Sequence, residues 1–452
     1  MQKKKIVLAL FGLMITLVLT GCFPEAGDSL FAAPKPPGDY LALQSQIDSL
    51  VAAGAVLASP EEGENRHSVQ MVDLDADGVE EVISFFKNAS DTAQFTVYVY
   101  KKQDGNYVQV GSVEGHGLGI RSVHYPRKRT NGELAVIICW RMGEELNDTF
   151  SVCSLQDDTF GEQLNTEYTE LYIDELSDSG LGEILSVTQN KTGQFSASLY
   201  SFMGDELRVS PPTNLSASIR GAARLREGKT RDGARAFFVD GISVGRGMLT
   251  DVLIERDHAL ENVTLDTTSG ISTRTYRSVS VPATDLLGDG TYAIPLAFPL
   301  PGYSEQDTDI QWRLSWCTVD SMGVLQEVRQ TYHNVAEGWY YLWPEEWGEQ
   351  VTITRSTTES GGVTSFYWLP DSGEFMDAGV ETDLSMAEPF LLLFVLTGED
   401  QNRFSGAAGY IRIGVSSSAT YYAYLMPGAA ELSVTEDSIR ECFRILSSSW
   451  YD

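Results

Sequence analysis

The sequence predicts an all-β fold, a β-propeller of six or seven blades built from degenerate repeats of about 53 residues. The first observation is a glycine turn followed by a short apolar strand, which recurs six times. The glycines of these turns are Gly78, Gly132, Gly180, Gly233, Gly290 and Gly348. The second observation is that alternating β-branched and aromatic segments follow each turn. One such unit cannot bury both of its faces, so radial stacking is expected; a β-sandwich is the alternative that the regular long period disfavours.

Two segments flank the predicted repeats, which span residues 66–397. In residues 40–65, apolar side chains at Leu43, Ile47, Leu50 and Val51 form one stripe of a short helix. Residues 398–452 contain strands and then a helical stripe that begins with the capping-box pattern of Ser433 and Glu436. We expect this tail to close the last blade or to form a small α/β cap.

The start of the chain has the pattern of an export signal. A basic stretch (residues 1–5) precedes an apolar run (residues 6–19), which is too short to span a bilayer. The run ends in Leu-Thr-Gly-Cys, which resembles a bacterial lipobox. The resemblance implies that residues 1–22 are a signal peptide and that the Cys22 thiol receives a diacylglycerol. Residues 23–39 are rich in Pro, Gly and Ala and are expected to be a tether, placing the protein on the extracytoplasmic side of the cell membrane.

Composition excludes some partners. The net charge of −31 disfavours nucleic acid and close contact with an anionic membrane surface, because both attract Lys and Arg. Besides Cys22 there are four cysteines, without a C-x-x-C pair or metal-ligand spacing. A disulfide between Cys139 and Cys153 is one alternative for an exported protein, and buried free thiols are the other, which we prefer.

One acidic loop has the spacing of a metal site. Side-chain oxygens occur at positions 1, 3, 5 and 9, with a backbone carbonyl available at position 7 and glycine at position 6. These predicted Ca²⁺ ligands are Asp73, Asp75, Asp77, Val79 and Glu81. The loop resembles the Asp-rich loop of FG-GAP and VCBS repeats, the blades of integrin-α-like propellers, and the resemblance implies a structural calcium. The alternative is a metal-free acidic turn, and the copies at residues 175–183 and 285–293 lack ligands.

Other motifs are expected not to be catalytic. Ser243 matches the string G-x-S-x-G, but a strand is predicted after it instead of the helix that a nucleophile elbow requires. The histidines form no zinc motif, and His116 is expected in a loop. The aromatic run at residues 339–347 is either a strand packed between blades or a ligand-stacking surface. Exposure of Trp343 and Trp347 distinguishes the two.

These observations favour a non-enzymatic function. We expect a lipid-anchored binding or scaffold module of the bacterial cell envelope, with a protein or carbohydrate ligand and no nucleic acid. The alternative is a hydrolase or lyase of envelope polysaccharide, and a third hypothesis is a structural role in envelope assembly. A deep pocket that gathers several acids and a histidine with perturbed pKa values favours the enzyme, whereas a shallow aromatic patch favours binding.

Overall fold

A computed structural model of the protein describes residues 38–446, except 92, 145, 176, 178, 245, 246, 306, 359, 360 and 370–386. The predicted signal peptide, the acylation site Cys22 and the tether up to residue 37 lie outside the described residues. In the described part of the chain, no helix is both long and apolar enough to cross a membrane.

The described residues form six antiparallel sheets that follow one another along the chain. Sheet 1 contains β1 (Ala55–Leu57), β2 (Val69–Val72), β3 (Glu81–Asn88), β4 (Gln94–Gln103) and β5 (Asn106–His116); sheet 2 contains β6 (Gly119–His124), β7 (Ala135–Arg141), β8 (Asp148–Gln156) and β9 (Thr159–Tyr168). Sheet 3 contains β10 (Glu170–Asp174), β11 (Glu183–Gln189), β12 (Phe195–Met203), β13 (Glu206–Val209) and β14 (Thr213–Asn214); sheet 4 contains β15 (Ile219–Lys229), β16 (Arg235–Ser243), β17 (Met248–Arg256) and β18 (Ala259–Asn262).

The last two sheets include strands from the C-terminal segment. Sheet 5 contains β19 (Ala293–Pro299), β20 (Trp312–Val319), β21 (Leu325–Asn334), β22 (Trp339–Leu342) and β28 (Phe443–Ile445). Sheet 6 contains β23 (Val351–Thr358), β24 (Gly361–Trp368), β25 (Leu391–Thr397), β26 (Tyr410–Val415) and β27 (Ala419–Leu425). The predicted tail therefore completes sheet 6 with β26 and β27 and adds an edge strand to sheet 5.

The six repeat glycines share a left-handed backbone, but Gly348 ends a 3-10 helix (Glu345–Trp347) instead of closing a turn between paired strands. Each has a positive φ, between 46° at Gly348 and 108° at Gly132, a conformation that is strained for other residues. In sheets 1 to 4 the turn connects two paired strands, so a further strand precedes the glycine in each of these units. This strand is short or irregular, so no sequence pattern predicted it. Before Gly290 it is reduced to a bridge between Thr284 and Ala293.

Consecutive sheets pack face to face through alternating apolar side chains. Each neighbouring pair of sheets shares one apolar cluster, with members such as Phe95 and Trp140 (sheets 1 and 2), Phe150 and Ile184 (2 and 3), Leu199 and Phe237 (3 and 4), Phe238 and Ile294 (4 and 5), and Tyr341 and Phe366 (5 and 6). Because each side of a strand serves a different neighbour, the strands are apolar on both faces. The predicted all-β architecture of stacked propeller blades is confirmed.

The predicted N-terminal helix is present as α1 (Gly38–Ala52). Leu43 and Ile47 pack on sheet 1 against Val82, Phe86 and Tyr100, on the face opposite the one that contacts sheet 2. The helix thus covers an apolar sheet face that would otherwise be in water.

The second helix, α2 (Glu436–Cys442), begins two residues later than the predicted capping box implies. Its capping box is formed by Thr435 and Ser438, so the prediction of Ser433 with Glu436 is wrong. Ser433 has a left-handed φ of 57°, whereas an N-cap residue needs the extended backbone that Thr435 has.

Candidate calcium loop and an interblade cavity

The acidic loop between β2 and β3 is shaped by its own aspartates. Asp73 accepts hydrogen bonds from the backbone N–H groups of Asp77 (3.2 Å) and Gly78 (3.0 Å). Asp77 in turn accepts from the N–H of Val79 at 2.8 Å. These bonds hold the chain in a tight turn in which Ala76 and Gly78 both have positive φ. Buried Leu74 anchors the loop in the core.

Three of the five predicted ligands are brought together. Oxygens of Asp73, Asp75 and Glu81 all lie within 4.8 Å of one another. Asp77 Oδ1 is engaged by the Val79 N–H, and Asp77 and Val79 lie outside this group. The sequence spacing therefore predicted three carboxylates that converge, and Asp77 does not join them; the Val79 carbonyl as a ligand stays a prediction.

Glu81 is the unusual member of the group. Its side chain is buried, its Oε2 accepts a hydrogen bond from the Leu74 N–H at 2.8 Å, and its Oε1 has no hydrogen-bond partner. Burial, together with the charges of Asp75 and Asp77, raises the pKa of Glu81 to about 7. A buried carboxylate oxygen without a donor is costly unless a cation or proton compensates it. The donor set of three hard oxygens fits Ca²⁺.

A lysine that the sequence analysis did not identify reaches into this loop. Lys101, on β4, pairs with Asp75, lies 2.9 Å from Asp158 and lies 3.5 Å from Asp77. Hydrogen bonds to Asp75 and Asp158 raise the pKa of Lys101, so it remains charged. A metal ion in the loop would compete with this ammonium for Asp75.

A cavity of about 340 Å³ lies where β10 of sheet 3, β15 and β16 of sheet 4 and the loop before β19 of sheet 5 meet. Its lining includes Tyr172, Asp174, Glu227, Lys229, Arg235 and Tyr292. Sequence spacing could not predict it, because these residues come from three separate repeats.

One arginine holds three carboxylates at this cavity. Arg235 pairs with Glu183, bonds Glu227 at 2.7 Å and lies 3.4 Å from Asp174. The Tyr172 hydroxyl donates to the second oxygen of Glu227 at 2.7 Å. Although burial opposes it, hydrogen bonds from Arg235 and Tyr172 lower the pKa of Glu227. Glu227 is therefore ionised, and its position is fixed by both partners.

Ser243 and His116 both lie at the ends of strands, so the prediction of a loop at His116 is wrong. Ser243 ends β16, and β17 follows it, as predicted, so the G-x-S-x-G string lies in a hairpin. His116 is exposed at the end of β5. In the aromatic run, Trp343 and Trp347 are only 4% and 3% exposed, which confirms packing in the core instead of a ligand-stacking surface. The strand prediction is correct only for Trp339–Leu342, because Glu345–Trp347 form a short 3-10 helix.

The cysteine question is also settled by the sheet geometry. Cys139 lies opposite Phe150 and packs toward sheet 3, whereas Cys153 lies opposite Val136 and packs toward sheet 1. Their side chains point to opposite faces of sheet 2, so no disulfide forms and both are buried free thiols, as preferred.

The stacked antiparallel sheets place the protein in the β-propeller class. No protein-family model matches the chain, and no curated protein matches it either. Similar solved structures include a putative 6-phosphogluconolactonase from Bacteroides uniformis (12% identity, 68% of this chain, 92% of that chain, TM-score 0.27). Another is an α-L-arabinanase from Penicillium chrysogenum (12% identity, 82% of this chain, 96% of that chain, TM-score 0.23). A third is the Dos1 propeller (10% identity, 67% of this chain, 65% of that chain, TM-score 0.25). Because the TM-scores are low, the architecture rests on the strand pairing described above, and these likenesses carry no argument about activity.

Proposed function

We propose that the protein is a lipid-anchored, extracytoplasmic binding or scaffold module of a bacterial cell envelope, with a structural Ca²⁺ in its first blade. The observation that carries the calcium site is the buried Oε1 of Glu81, which lacks a donor, in a residue whose carboxylate converges with those of Asp73 and Asp75. Calcium there would join β2 to β3 at the turn that the loop forms. Extracellular calcium modules commonly bind at about 0.1–1 mM, the range expected for a site with few protein ligands.

The anchor follows from the N-terminal pattern. Two acyl chains on Cys22 would suffice for stable membrane attachment. The strongly acidic chain would then be repelled from anionic headgroups, and the tether would hold the sheets away from the surface.

Binding is favoured over catalysis by the charges at the cavity. A glycoside hydrolase needs one carboxyl with a raised pKa as general acid. Asp174, Glu183 and Glu227 instead share Arg235, and its hydrogen bonds, with that of Tyr172, lower the pKa of Glu227 against the effect of burial. This set is suited to accepting hydrogen bonds from a ligand, not to protonating a leaving group.

The anchor is tested by the Cys22→Ser variant. We expect wild-type protein in the detergent-soluble membrane fraction and the variant in the soluble extracytoplasmic fraction, with the same melting temperature. A variant that stays on membranes after signal cleavage would contradict the acyl anchor.

Calcium binding is tested by titration calorimetry on purified protein. We expect binding in the wild type and none in Asp75→Ala. Lys101→Met should bind about tenfold more tightly, because the competing ammonium is gone. The matched control is Lys102→Met, whose ammonium lies over the Tyr107 ring. A wild type that binds no calcium up to 10 mM (about tenfold above the expected range) would refute the structural calcium.

A further inference from the structure

The cavity between sheets 3, 4 and 5 has the chemistry of a carbohydrate site. We propose that it binds a saccharide that carries a carboxylate, a hexuronate unit. This inference rests on the proposed binding function and names its ligand class. Two aromatic walls, the fixed carboxylates and a lysine ammonium without a partner among the described residues support it.

Two tyrosines form walls of the cavity. Tyr172 makes an edge contact with Phe237, with 5.8 Å between ring centroids. Tyr292 stacks on Phe238 at 5.0 Å and 26°. Both rings are held by the core, yet both remain partly exposed. A rigid aromatic face covers the C–H face of a pyranose ring at little entropic cost.

A glycine makes room for one of these walls. A Cβ at Gly228 would lie 2.2 Å from Cδ2 of Tyr292, so only glycine lets this ring lie against β15. The backbones of Gly233 and Gly290 also line the cavity. Bare backbone next to an aromatic ring leaves space for a ligand where a side chain would fill it.

The carboxylates are oriented before any ligand arrives. Glu227 is held by Arg235 and by the Tyr172 hydroxyl, and Asp174 is held by Arg235. Glu227 accepts three hydrogen bonds and a carboxylate has about four acceptor positions, so it retains capacity to accept a sugar hydroxyl. Prior orientation by Arg235 reduces the ordering cost of binding.

Lys229 supplies the preference for an acidic sugar. Its side chain is exposed at the cavity and forms no hydrogen bond or ion pair with a described residue. An unpaired ammonium is notable in a chain with 63 acidic and 32 basic residues, where carboxylates are abundant. A ligand carboxylate would pair with it, while the ring packs on the tyrosines.

The test is calorimetry on the full chain in lipid nanodiscs with two matched probes. These are a β-1,4-linked glucuronate pentamer and cellopentaose, which differ only in the carboxylate. We expect the glucuronate pentamer to bind and cellopentaose to bind at least tenfold more weakly. Lys229→Gln should reduce glucuronate binding about tenfold and leave cellopentaose unchanged. Tyr172→Phe, which keeps the ring but removes its hydrogen bond to Glu227, should weaken both.

The control variant is Lys191→Gln, which removes an exposed lysine from the turn between β11 and β12. It should bind like the wild type. The inference is overturned if neither pentamer binds, if both bind equally, or if Lys229→Gln binds glucuronate like the wild type. Membrane attachment and calcium titration on the same preparation separate this failure from failure of the proposed function, because neither involves the cavity.

Discussion

The loops at residues 73–81 and 285–293 share one backbone design but not one chemistry. Asp285 accepts from the N–H groups of Asp289 (3.1 Å) and Gly290 (2.9 Å), as Asp73 does from the corresponding residues of the first loop. Asp289 accepts from the Thr291 N–H at 2.8 Å, as Asp77 does from Val79. The same turn therefore recurs four repeats apart.

The side chains at positions 3 and 9 of the loops differ. Asp75 and Glu81 of the first loop correspond to Leu287 and Ala293 of the second. The first and fifth aspartates and the glycine thus determine the turn, while the third and ninth residues determine whether a cation can bind.

The two loops also differ at position 8, where the second loop carries a residue of the interblade cavity. It is exposed Glu80 in the first loop and Tyr292, a wall of the cavity, in the second. The same backbone turn thus forms a candidate metal site in blade 1 and, before sheet 5, positions Tyr292 at the proposed saccharide site.

The largest effect that separates the loops is expected from Glu81→Gln. Removing this buried charge should weaken calcium binding at least a hundredfold, about 2.7 kcal/mol, because an amide supplies only a neutral ligand. Calorimetry measures the change. The matched substitution Asp289→Asn in the second loop should leave calcium affinity unaltered, and an equal loss there would show that the ion binds elsewhere.

An intermediate effect is expected where the loops are alike. Asp73→Ala and Asp285→Ala each remove an acceptor of two or three backbone hydrogen bonds and should each reduce the free energy of unfolding by about 1–2 kcal/mol in chelator. Urea denaturation measures this. With calcium added, only Asp73→Ala should lose further stability relative to wild type, since only the first loop gains from the ion. Parallel losses in calcium would contradict a metal-specific role.

The smallest effect is expected at position 4, where Ala76 has a φ of 59° and Gly288 a φ of 75°. Left-handed backbone costs alanine about 1 kcal/mol relative to glycine. Ala76→Gly should therefore stabilise the protein by up to that amount, and Gly288→Ala should destabilise it by about as much. Thermal unfolding of the two variants measures this, and changes of the same sign would show that another contact dominates.

The successes and failures of sequence reasoning have a common cause. The loop ligands Asp73, Asp75 and Glu81 lie within nine residues, so local spacing predicted their convergence. Lys101 comes from another strand, and no local signal distinguishes it from its neighbour Lys102. The capping box was displaced because the sequence pattern of Ser433 and Glu436 does not report the left-handed backbone at Ser433.

The sequence by itself determined the repeated glycine turns, the all-β class and the three carboxylates of the acidic loop. These depend on local backbone sterics and on the alternation of apolar residues, which act over a few positions. Only the tertiary structure decided that Lys101 shares those carboxylates, that Cys139 and Cys153 face apart, and that three repeats enclose a cavity around Arg235. The reason is that sheet packing and register bring together residues tens of positions apart, and no short pattern encodes which faces will meet.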